Sequence, residues 1–309
     1  MATGLHAANA GILSGRRSDH ITARQKKGRS ARSGISFVAF AIAFVAVLSL
    51  LDYLYLPSSA IGYAGVLTAA VVITLPFYIA ARLGKLAPVA VFIFVYALIF
   101  IILEVLSYII FAFSGAAEGQ LLFYETAGLG FSFLLAPFLY LTIYKRRSIG
   151  QSINYLGLGR SSLKLRFMAA AVPLFLALIL LSVATEIAGE LLNTQINTNT
   201  NIVFAGAPIW FLIFAALIEP INEEVMFRGF MIKNLRFLPL GLGIIISSLL
   251  FAAGHVGYNS TFGIEVIAAF AFGMIAGYVF SETDSLYPSI IAHIAINSIG
   301  IMALLIIFR

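Results

Sequence analysis

The sequence contains no cysteine and very few charged side chains. Without cysteine the chain forms no disulfide and has no thiolate nucleophile or thiolate metal ligand. Charged residues make up 10% of the 309 residues, whereas a soluble domain carries about 25%. Hydrophobic residues make up 61%, and the mean hydropathy is +1.02. These values exclude a soluble globular domain and predict an all-α, polytopic membrane protein.

Acidic residues are scarce at the N-terminus, and this accounts for the whole net charge. Residues 1–35 contain seven basic residues against the single acid Asp19, which gives +6, the net charge of the chain. The basic residues are Arg16, Arg17, Arg24, Lys26, Lys27, Arg29 and Arg32. Such a segment binds nucleic acid or faces anionic lipid, and its lack of aromatic residues favours lipid. We predict a disordered cytoplasmic tail, no nucleic-acid partner and no cleavable signal peptide.

Long apolar stretches occupy most of the remaining chain. A bilayer core needs about 20 mostly apolar residues in a helix. The sequence predicts about eight to nine transmembrane helices, at 36–56, 60–81, 87–113, 127–144, 166–189, 206–236, 239–256, 262–281 and 287–308. The stretch 206–236 is too long for a simple crossing, so it tilts or continues as an amphipathic extension. Residues 36–200 form an N-terminal set of helices, and residues 201–309 contain the motifs described below.

Basic residues are confined to one set of loops. With the tail on the cytoplasmic side, 18 of the 19 Lys and Arg residues fall on that side. The opposite connections hold Glu118, Glu125, Glu190 and the polar run 193–201. This bias predicts a cytoplasmic N-terminus, in what we expect to be a bacterial inner membrane. The segment 146–165 is predicted to be a cytoplasmic connector with glycine-rich turns.

A pair of glutamates lies inside the long stretch 206–236. Charged side chains at membrane depth cost about 2.5–3.5 kcal/mol on insertion scales, so their presence calls for a function. Glu224 and Arg228 are four residues apart, the spacing at which a carboxylate and a guanidinium meet on a helix. Glu223 points about 100° away, and a carboxylate facing an apolar cavity is suited to general-base work.

Two further features of this stretch bear on its interpretation. Pro220 removes one backbone hydrogen bond, and we expect the freed carbonyl and a kink to admit water. The alternative is that the charges mark a helix end at the membrane surface, with Arg228, Lys233 and Arg236 leaving the bilayer. The short spacing pattern alone does not decide between the two.

Two of the four histidines lie in apolar stretches. His255 follows Phe251 by four residues and His293 precedes Asn297 by four, so each pair shares a helix face. A single membrane histidine is more often a helix–helix hydrogen bonder than a ligand. Counting about 1.5 Å per residue from a turn near 237–241 places Glu223 and His255 at the same depth, with His293 nearer the membrane surface.

Taken together, the three motifs resemble the CPBP family of intramembrane proteases, which includes CAAX prenyl endopeptidases of the Rce1 type and bacterial Abi proteins. The family pattern is Glu-Glu-x-x-x-Arg, then Phe-x-x-x-His, then His-x-x-x-Asn or Asp. Here the motifs read 223–228, 251–255 and 293–297, in that order. The resemblance covers about residues 205–300.

The resemblance implies helices that enclose an intramembrane cavity and hydrolyse a peptide bond. Glu223 would activate the water and His255 would help to hold it. His293 and Asn297 would stabilise the oxyanion or complete the site, while Arg228 would fix Glu224. The family has been described both as metalloproteases and as glutamate-dependent proteases, so a Zn²⁺ ion held by Glu223, His255 and His293 stays open beside a metal-free water.

The implied partner is a peptide or protein substrate, including a prenylated or membrane-bound C-terminus, within the lipid bilayer. Two other classes of protein stay open. One is a non-catalytic bacteriocin-immunity or scaffold membrane protein. The other is a proton-coupled transporter that uses the buried Glu and His residues as a relay, against which stands the absence of an internal repeat. Rhomboid, presenilin-type and site-2 protease motifs are absent from the sequence.

Overall fold

The computed structural model describes residue 79 and the ranges 83–117, 120–191, 206–255 and 264–308. Of these residues 84% are helical, and none lies in a strand. The predicted all-α class is therefore confirmed. The tail 1–35, the predicted span 36–56, the span 60–81 apart from residue 79, and the whole polar run 193–201 fall outside the described residues, so those predictions stay predictions.

The described chain forms helices that are numbered here in order. They are α1 (Leu86–Ser114), α2 (Leu121–Leu139, continued by the π-helical Tyr140–Tyr144), α3 (Ile149–Leu156), α4 (Leu165–Met168), α5 (Ala171–Leu191), α6 (Ile209–Ile232, in four segments), α7 (Leu240–Gly254), α8 (Ile264–Thr283) and α9 (Tyr287–Phe308). A 3₁₀ turn, Arg160–Ser162, separates α3 from α4.

Four stretches in the described helices are long and apolar enough to cross a membrane. They are Val91–Ser114, Leu121–Tyr144, Leu165–Thr185 and Val266–Thr283. Two shorter apolar helices are Gly241–Gly254 and Tyr287–Ala303. The predicted total of eight to nine spans is thus not confirmed. The α2 span begins at Leu121 rather than 127, which places Glu125 inside a helix instead of in an outer loop.

Helix α6 is a composite, and its irregularity explains why 206–236 is too long for one regular crossing. It runs as α-helix Ile209–Ile213, π-helix Phe214–Ile218, α-helix Glu219–Glu224 and π-helix Val225–Ile232. Single π turns are frequent at functional sites. The end of the helix is buried rather than an exposed amphipathic extension, since Ile232 is 2% and Lys233 8% exposed.

The connector between α2 and α5 is more ordered than glycine-rich turns alone predict. It contains α3, which begins with a capping box in which Ser148 and Gln151 bond each other's backbone N–H groups. Gly157 ends α3 in the left-handed conformation at φ 84°, so the predicted glycine turn is present there. A Cβ on Gly229 would lie 2.7 Å from the Leu156 carbonyl oxygen, so glycine at 229 permits the close contact of α3 with α6.

The connector is joined by hydrogen bonds to the turn between α8 and α9. The Leu286 N–H donates to the Gly157 carbonyl at 3.1 Å. The Tyr287 hydroxyl donates to the Leu158 carbonyl at 2.9 Å, and the Ser285 hydroxyl donates to the Ser162 carbonyl at 2.9 Å. These bonds fix one end of the helix bundle and place the start of α9 beside the end of α3 and the 3₁₀ turn that follows it.

The core lies around the middle of α6. Buried residues of α2, α5, α7, α8 and α9 pack against it in one continuous apolar cluster. Helix α1 presents a different surface, because residues such as Ile101 and Val105 are more than half exposed, at 58% and 55%. An exposed apolar face is what a lipid-facing helix requires. The polar residues of α6 therefore lie inside the bundle, away from the lipid surface.

Candidate active site

The central feature of the site is a buried ion pair within α6. Arg228 Nη1 lies 3.0 Å from Glu224 Oε1, and the two side chains are 1% and 0% exposed. The expected i,i+4 pairing is therefore present. The contact does not have the direction of a hydrogen bond, and Glu224 Oε2 and both Nη atoms have no hydrogen-bond partner among the described residues. The pair is held by charge and packing.

Two phenylalanine rings supply that packing. The Arg228 guanidinium carbon lies 4.3 Å from the centroid of Phe251 on α7 and 4.8 Å from that of Phe272 on α8. A desolvated cation over an aromatic face gains about 2 kcal/mol from the ring quadrupole. Burial of Arg228 among these rings excludes the alternative that this residue marks an exposed helix end.

His293 on α9 connects the two glutamates. Its Nδ1 lies 3.1 Å from Glu224 Oε1, and its Nε2 lies 3.7 Å from Glu223 Oε2. Because Arg228 keeps Glu224 as a carboxylate, the Nδ1–H donates to Glu224 and the neutral ring presents an unprotonated Nε2 toward Glu223. The ring also packs edge-on against Phe272, with centroids 4.7 Å apart. Glu223, Glu224, Arg228 and His293 thus form one buried cluster.

The sequence-based depth of His293 was wrong. The expectation measured Glu223 from a turn near 237–241, whereas Lys233 of α6 forms an ion pair with Asp284 of the α8–α9 turn at 2.8 Å. This contact shows that Lys233 and Asp284 lie at the same depth, so both helices are counted from it. Glu223 lies ten residues before Lys233 and His293 nine residues after Asp284, or about 15 and 13 Å of helix. The two side chains therefore lie at the same depth, as their 3.7 Å contact requires.

His255 lies at the end of α7, beside this cluster. Its Nδ1–H donates to the carbonyl of Phe251 at 2.9 Å, because a carbonyl can only accept. That bond fixes the tautomer and leaves Nε2 with a lone pair. Phe251 also packs against Phe227 of the neighbouring helix α6. The Phe251 ring contacts both histidine rings, at 4.6 and 6.0 Å between centroids.

Asn297 occupies a position that the sequence did not predict. Its Nδ2 donates to the carbonyl of Ala215 in α6 at 3.2 Å. In the π-helical register the Glu219 N–H bonds the Phe214 carbonyl. With the same five-residue spacing, the Ala215 carbonyl would accept from the N–H of residue 220, but residue 220 is a proline and has no N–H. Ala215 therefore lacks a backbone donor, and Asn297 supplies one. The carbonyl freed by Pro220, expected to admit water, is bonded by a side chain instead.

The metal alternative was tested against the side chains present. No group of three His, Asp or Glu side chains in the described part of the chain has an arrangement that would hold a metal ion. The Nδ1 atoms of His293 and His255 are bonded to Glu224 and to the Phe251 carbonyl, which leaves each Nε2 free. The described residues do not bring these nitrogens together with Glu223 as a three-ligand group, and no step below is assigned to a metal.

Three supporting residues escaped the sequence analysis. Phe272 contacts both Arg228 and His293, but it is one of 27 phenylalanines and nothing in the sequence distinguishes it. Ser247 donates to the carbonyl of Phe227 in the second π segment of α6. Asn222 is 1% exposed, and its Nδ2 has no hydrogen-bond partner among the described residues. Ser247 and Asn222 could have been found in the sequence, because each is a polar residue within an apolar helix.

Comparison with known proteins agrees with the motifs. Residues 205–299 match the family described as type II CAAX prenyl endopeptidase Rce1-like, and the predicted resemblance is confirmed over that segment. A protein of Escherichia coli, described as an uncharacterized 24.3 kDa protein, is 28% identical over 94 residues. The alignment covers 29% of this chain and 42% of that relative, so the chain spans about two-fifths of the relative's length. No solved structure matches the chain significantly.

Proposed function

We propose that this protein is an intramembrane endopeptidase in which Glu223 activates the attacking water. The observation that carries the proposal is the 3.7 Å separation of Glu223 Oε2 and His293 Nε2 inside a buried cluster. A carboxylate oxygen and an unprotonated imidazole nitrogen are both acceptors, so they cannot bond each other. One water beside the line joining the two atoms can donate a hydrogen to each, at about 2.8 Å. The match to a family of CAAX-type proteases supports the same function.

The reaction follows from that placement. Glu223 takes a proton from the water while the water oxygen forms a bond to the carbonyl carbon of the substrate peptide. The carbonyl π bond opens and leaves a negatively charged oxygen on a tetrahedral carbon. A lone pair of the negatively charged oxygen then re-forms the carbonyl, and the carbon–nitrogen bond breaks with its electrons going to the nitrogen. The proton held by Glu223 passes to that nitrogen, which gives the free amine and the carboxyl product. No redox partner or cofactor enters this balance.

The remaining side chains hold the base and its partner in place. Arg228 and His293 keep Glu224 ionised, and Glu224 in turn fixes His293 with Nε2 toward Glu223. We assign to His255, whose Nδ1 is bonded to the Phe251 carbonyl, the role of helping to hold the water through its free Nε2. Asn297 retains one amide hydrogen beyond its bond to Ala215, and we assign that hydrogen to the developing oxyanion.

The family points to the class of substrate and the place of action. We propose a peptide or protein whose C-terminus lies in the membrane, including a prenylated C-terminus. We propose that it is cleaved by an integral membrane protein whose N-terminus is cytoplasmic, in a bacterial inner membrane. Residues 201–309 would form the catalytic part, and residues 36–200 the supporting helices.

The test is a cleavage assay with the purified full-length protein in lipid nanodiscs. A library of peptides with and without a C-terminal prenyl group is incubated with wild type, Glu223→Gln and His293→Ala, and products are identified by mass spectrometry. Glu282→Gln is the matched control, because Glu282 is an exposed carboxylate at the end of α8. Removing the base is expected to lower the rate by about 10²–10⁴-fold, and Glu282→Gln to leave it unchanged.

Cleavage that persists in Glu223→Gln would rule out this mechanism. Absence of cleavage across the library by a folded wild type would instead favour the immunity or scaffold alternative. A parallel arm with a chelator, followed by added Zn²⁺, separates the metal alternative from the metal-free one. Chelator-sensitive activity that Zn²⁺ restores would contradict the role of a metal-free water.

A further inference from the structure

A polar cavity that is open to solvent lies at the connector end of the bundle, and none of its lining residues belongs to the glutamate cluster. It has a volume of about 480 Å³ and is lined by Arg147, Gln151, Asn154 and Tyr155. Gln151, Asn154 and Tyr155 are spaced at i, i+3 and i+4 on one face of α3, and Arg147 lies two residues before the helix begins. The lining contains one cation, two amides and a phenol, and no carboxylate.

The chemistry of this lining favours an oxyanion. The Arg147 guanidinium lies 3.9 Å from the centroid of the Tyr155 ring, which fixes it flat against the wall. Arg147 has no carboxylate within ion-pair distance among the described residues. Gln151 Oε1 accepts from the Ser148 N–H at 2.9 Å, which leaves its Nε2 hydrogens for another acceptor. Burial raises the pKa of Tyr155 above its ordinary value of 10.0, so the phenol stays protonated and can donate.

Most of the charge around the cavity has the same sign, and the nearby carboxylate of Asp284 is already paired with Lys233 and Arg236. Between Glu125 and Glu186 the chain contains no acidic residue. The basic residues in this interval are Lys145, Arg146, Arg147, Arg160, Lys164 and Arg166. An uninterrupted basic segment next to transmembrane helices attracts anionic headgroups, at about 1 kcal/mol per basic residue.

The position of the cavity fits lipid rather than a dissolved ion. It lies just after the span Leu121–Tyr144 and before the span Leu165–Thr185. Large apolar side chains near it are exposed, with Ile149 at 69% and Leu165 at 82%. Exposed apolar residues beside basic ones are typical of a segment at the headgroup level of a bilayer.

We propose that the cavity lined by Arg147, Gln151, Asn154 and Tyr155 binds the phosphate of an anionic phospholipid headgroup. The guanidinium pairs with the phosphate oxygens, the amides and the phenol donate to it, and the acyl chains lie along the exposed apolar side chains. The site is separate from the glutamate cluster and does not depend on the proposed peptidase activity.

The experiment measures lipid retention by the full-length protein. The protein is transferred from nanodiscs of phosphatidylcholine containing phosphatidylglycerol and analysed by native mass spectrometry. The variants are Arg147→Gln, Arg147→Lys and Asn154→Ala. The charge-matched control is Arg160→Gln, because Arg160 is an exposed arginine of the same connector that does not line the cavity. Thermal unfolding of each variant is recorded alongside.

We expect wild type to retain phosphatidylglycerol over phosphatidylcholine, and Arg147→Gln to weaken retention at least about fivefold. Arg147→Lys should keep part of it, Asn154→Ala should weaken it without changing charge, and Arg160→Gln should change it less than twofold. Equal losses in Arg147→Gln and Arg160→Gln would overturn the proposal, as would equal retention of the two lipids. Full competition by millimolar inorganic phosphate would assign the cavity to a free anion instead. Should Arg147→Gln fail to fold, Asn154→Ala is read by the same criteria.

Discussion

Two ion pairs formed by arginines eight residues apart, Arg228 and Arg236, have the same length and opposite surroundings. Arg228 and Glu224 are 3.0 Å apart, and so are Arg236 and Asp284. The first pair is 1% and 0% exposed, whereas the second is 53% and 58% exposed. Distance alone therefore says nothing about what each pair contributes. The surroundings decide it, because a buried charge that loses its partner keeps the full cost of its desolvation.

The comparison extends to what surrounds each pair. Arg228 is covered by the rings of Phe251 and Phe272, and Glu224 is shared with His293. Asp284 is instead shared by two basic side chains, Lys233 and Arg236, in a setting open to solvent on one side. A buried pair of this kind stabilises little compared with apolar residues of the same volume. Stability alone therefore does not explain its presence in α6.

The largest expected effect comes from breaking the buried pair. Glu224→Ala leaves Arg228 buried without its carboxylate, and we expect the free energy of unfolding in lipid to fall by about 3–5 kcal/mol. His293 also loses its acceptor, so cleavage should be lost as well. The measurement is steric-trapping unfolding in nanodiscs. Glu282→Ala, an exposed glutamate at the end of α8, is the control, and a loss below about 1 kcal/mol for Glu224→Ala would contradict the comparison.

The second prediction concerns the hydrogen bond that joins α9 to α6. Asn297→Ala leaves the Ala215 carbonyl without a donor, and an unsatisfied buried group costs about 1–3 kcal/mol. Pro220→Ala restores an N–H five residues after Ala215, in the register that the π segment already uses. The loss caused by Asn297→Ala should therefore be smaller in the Pro220→Ala background. A double-mutant cycle with unfolding free energies measures this coupling, expected to be at least about 0.5 kcal/mol.

Additive losses in that cycle would show that Pro220 is not the reason for the Asn297 contact. Asn297→Asp provides a further check, because a carboxylate cannot donate to a carbonyl. It should destabilise at least as much as the alanine variant, although its volume matches that of asparagine.

The third prediction isolates the aromatic cover of Arg228. Phe272→Leu keeps an apolar side chain in the core but removes the ring that faces the guanidinium and His293. We expect a loss of about 1–2 kcal/mol in unfolding free energy, the range of a desolvated cation over an aromatic face. Phe270→Leu on the same helix is the matched control, because Phe270 is only partly buried in the core. Equal losses in both variants would assign the effect of Phe272 to packing alone.

Much of the site could be predicted because helical spacing is a local property. The pairing of Glu224 with Arg228 and the face shared by Phe251 and His255 follow from residues four apart, and the structure contains both. The three motifs also identified the matched segment 205–299. These features need no knowledge of how distant helices are arranged.

The remainder depended on contacts between distant segments. The depth of His293 could not be counted correctly, because only the Lys233–Asp284 pair shows which turns lie at the same level. Pro220 signalled a freed carbonyl, but nothing local indicated that Asn297, 82 residues from Ala215, would bond it. Helix α3 is a different case, since its Ser148-x-x-Gln151 capping box was present in the sequence and its glycines drew the prediction toward turns.

The smallest expected effect comes from the exposed pair. Arg236→Ala removes one of the two basic partners of Asp284, while Lys233 stays 2.8 Å from the same carboxylate oxygen. An exposed pair is worth about 0–1 kcal/mol, because water and side-chain entropy offset most of the attraction. The loss should shrink further in 1 M salt, where the Debye length is about 3 Å. Unfolding free energies measured at low and high salt test this. A salt-independent loss above about 2 kcal/mol would mean that Arg236 is held like Arg228, and that exposure does not separate the two pairs.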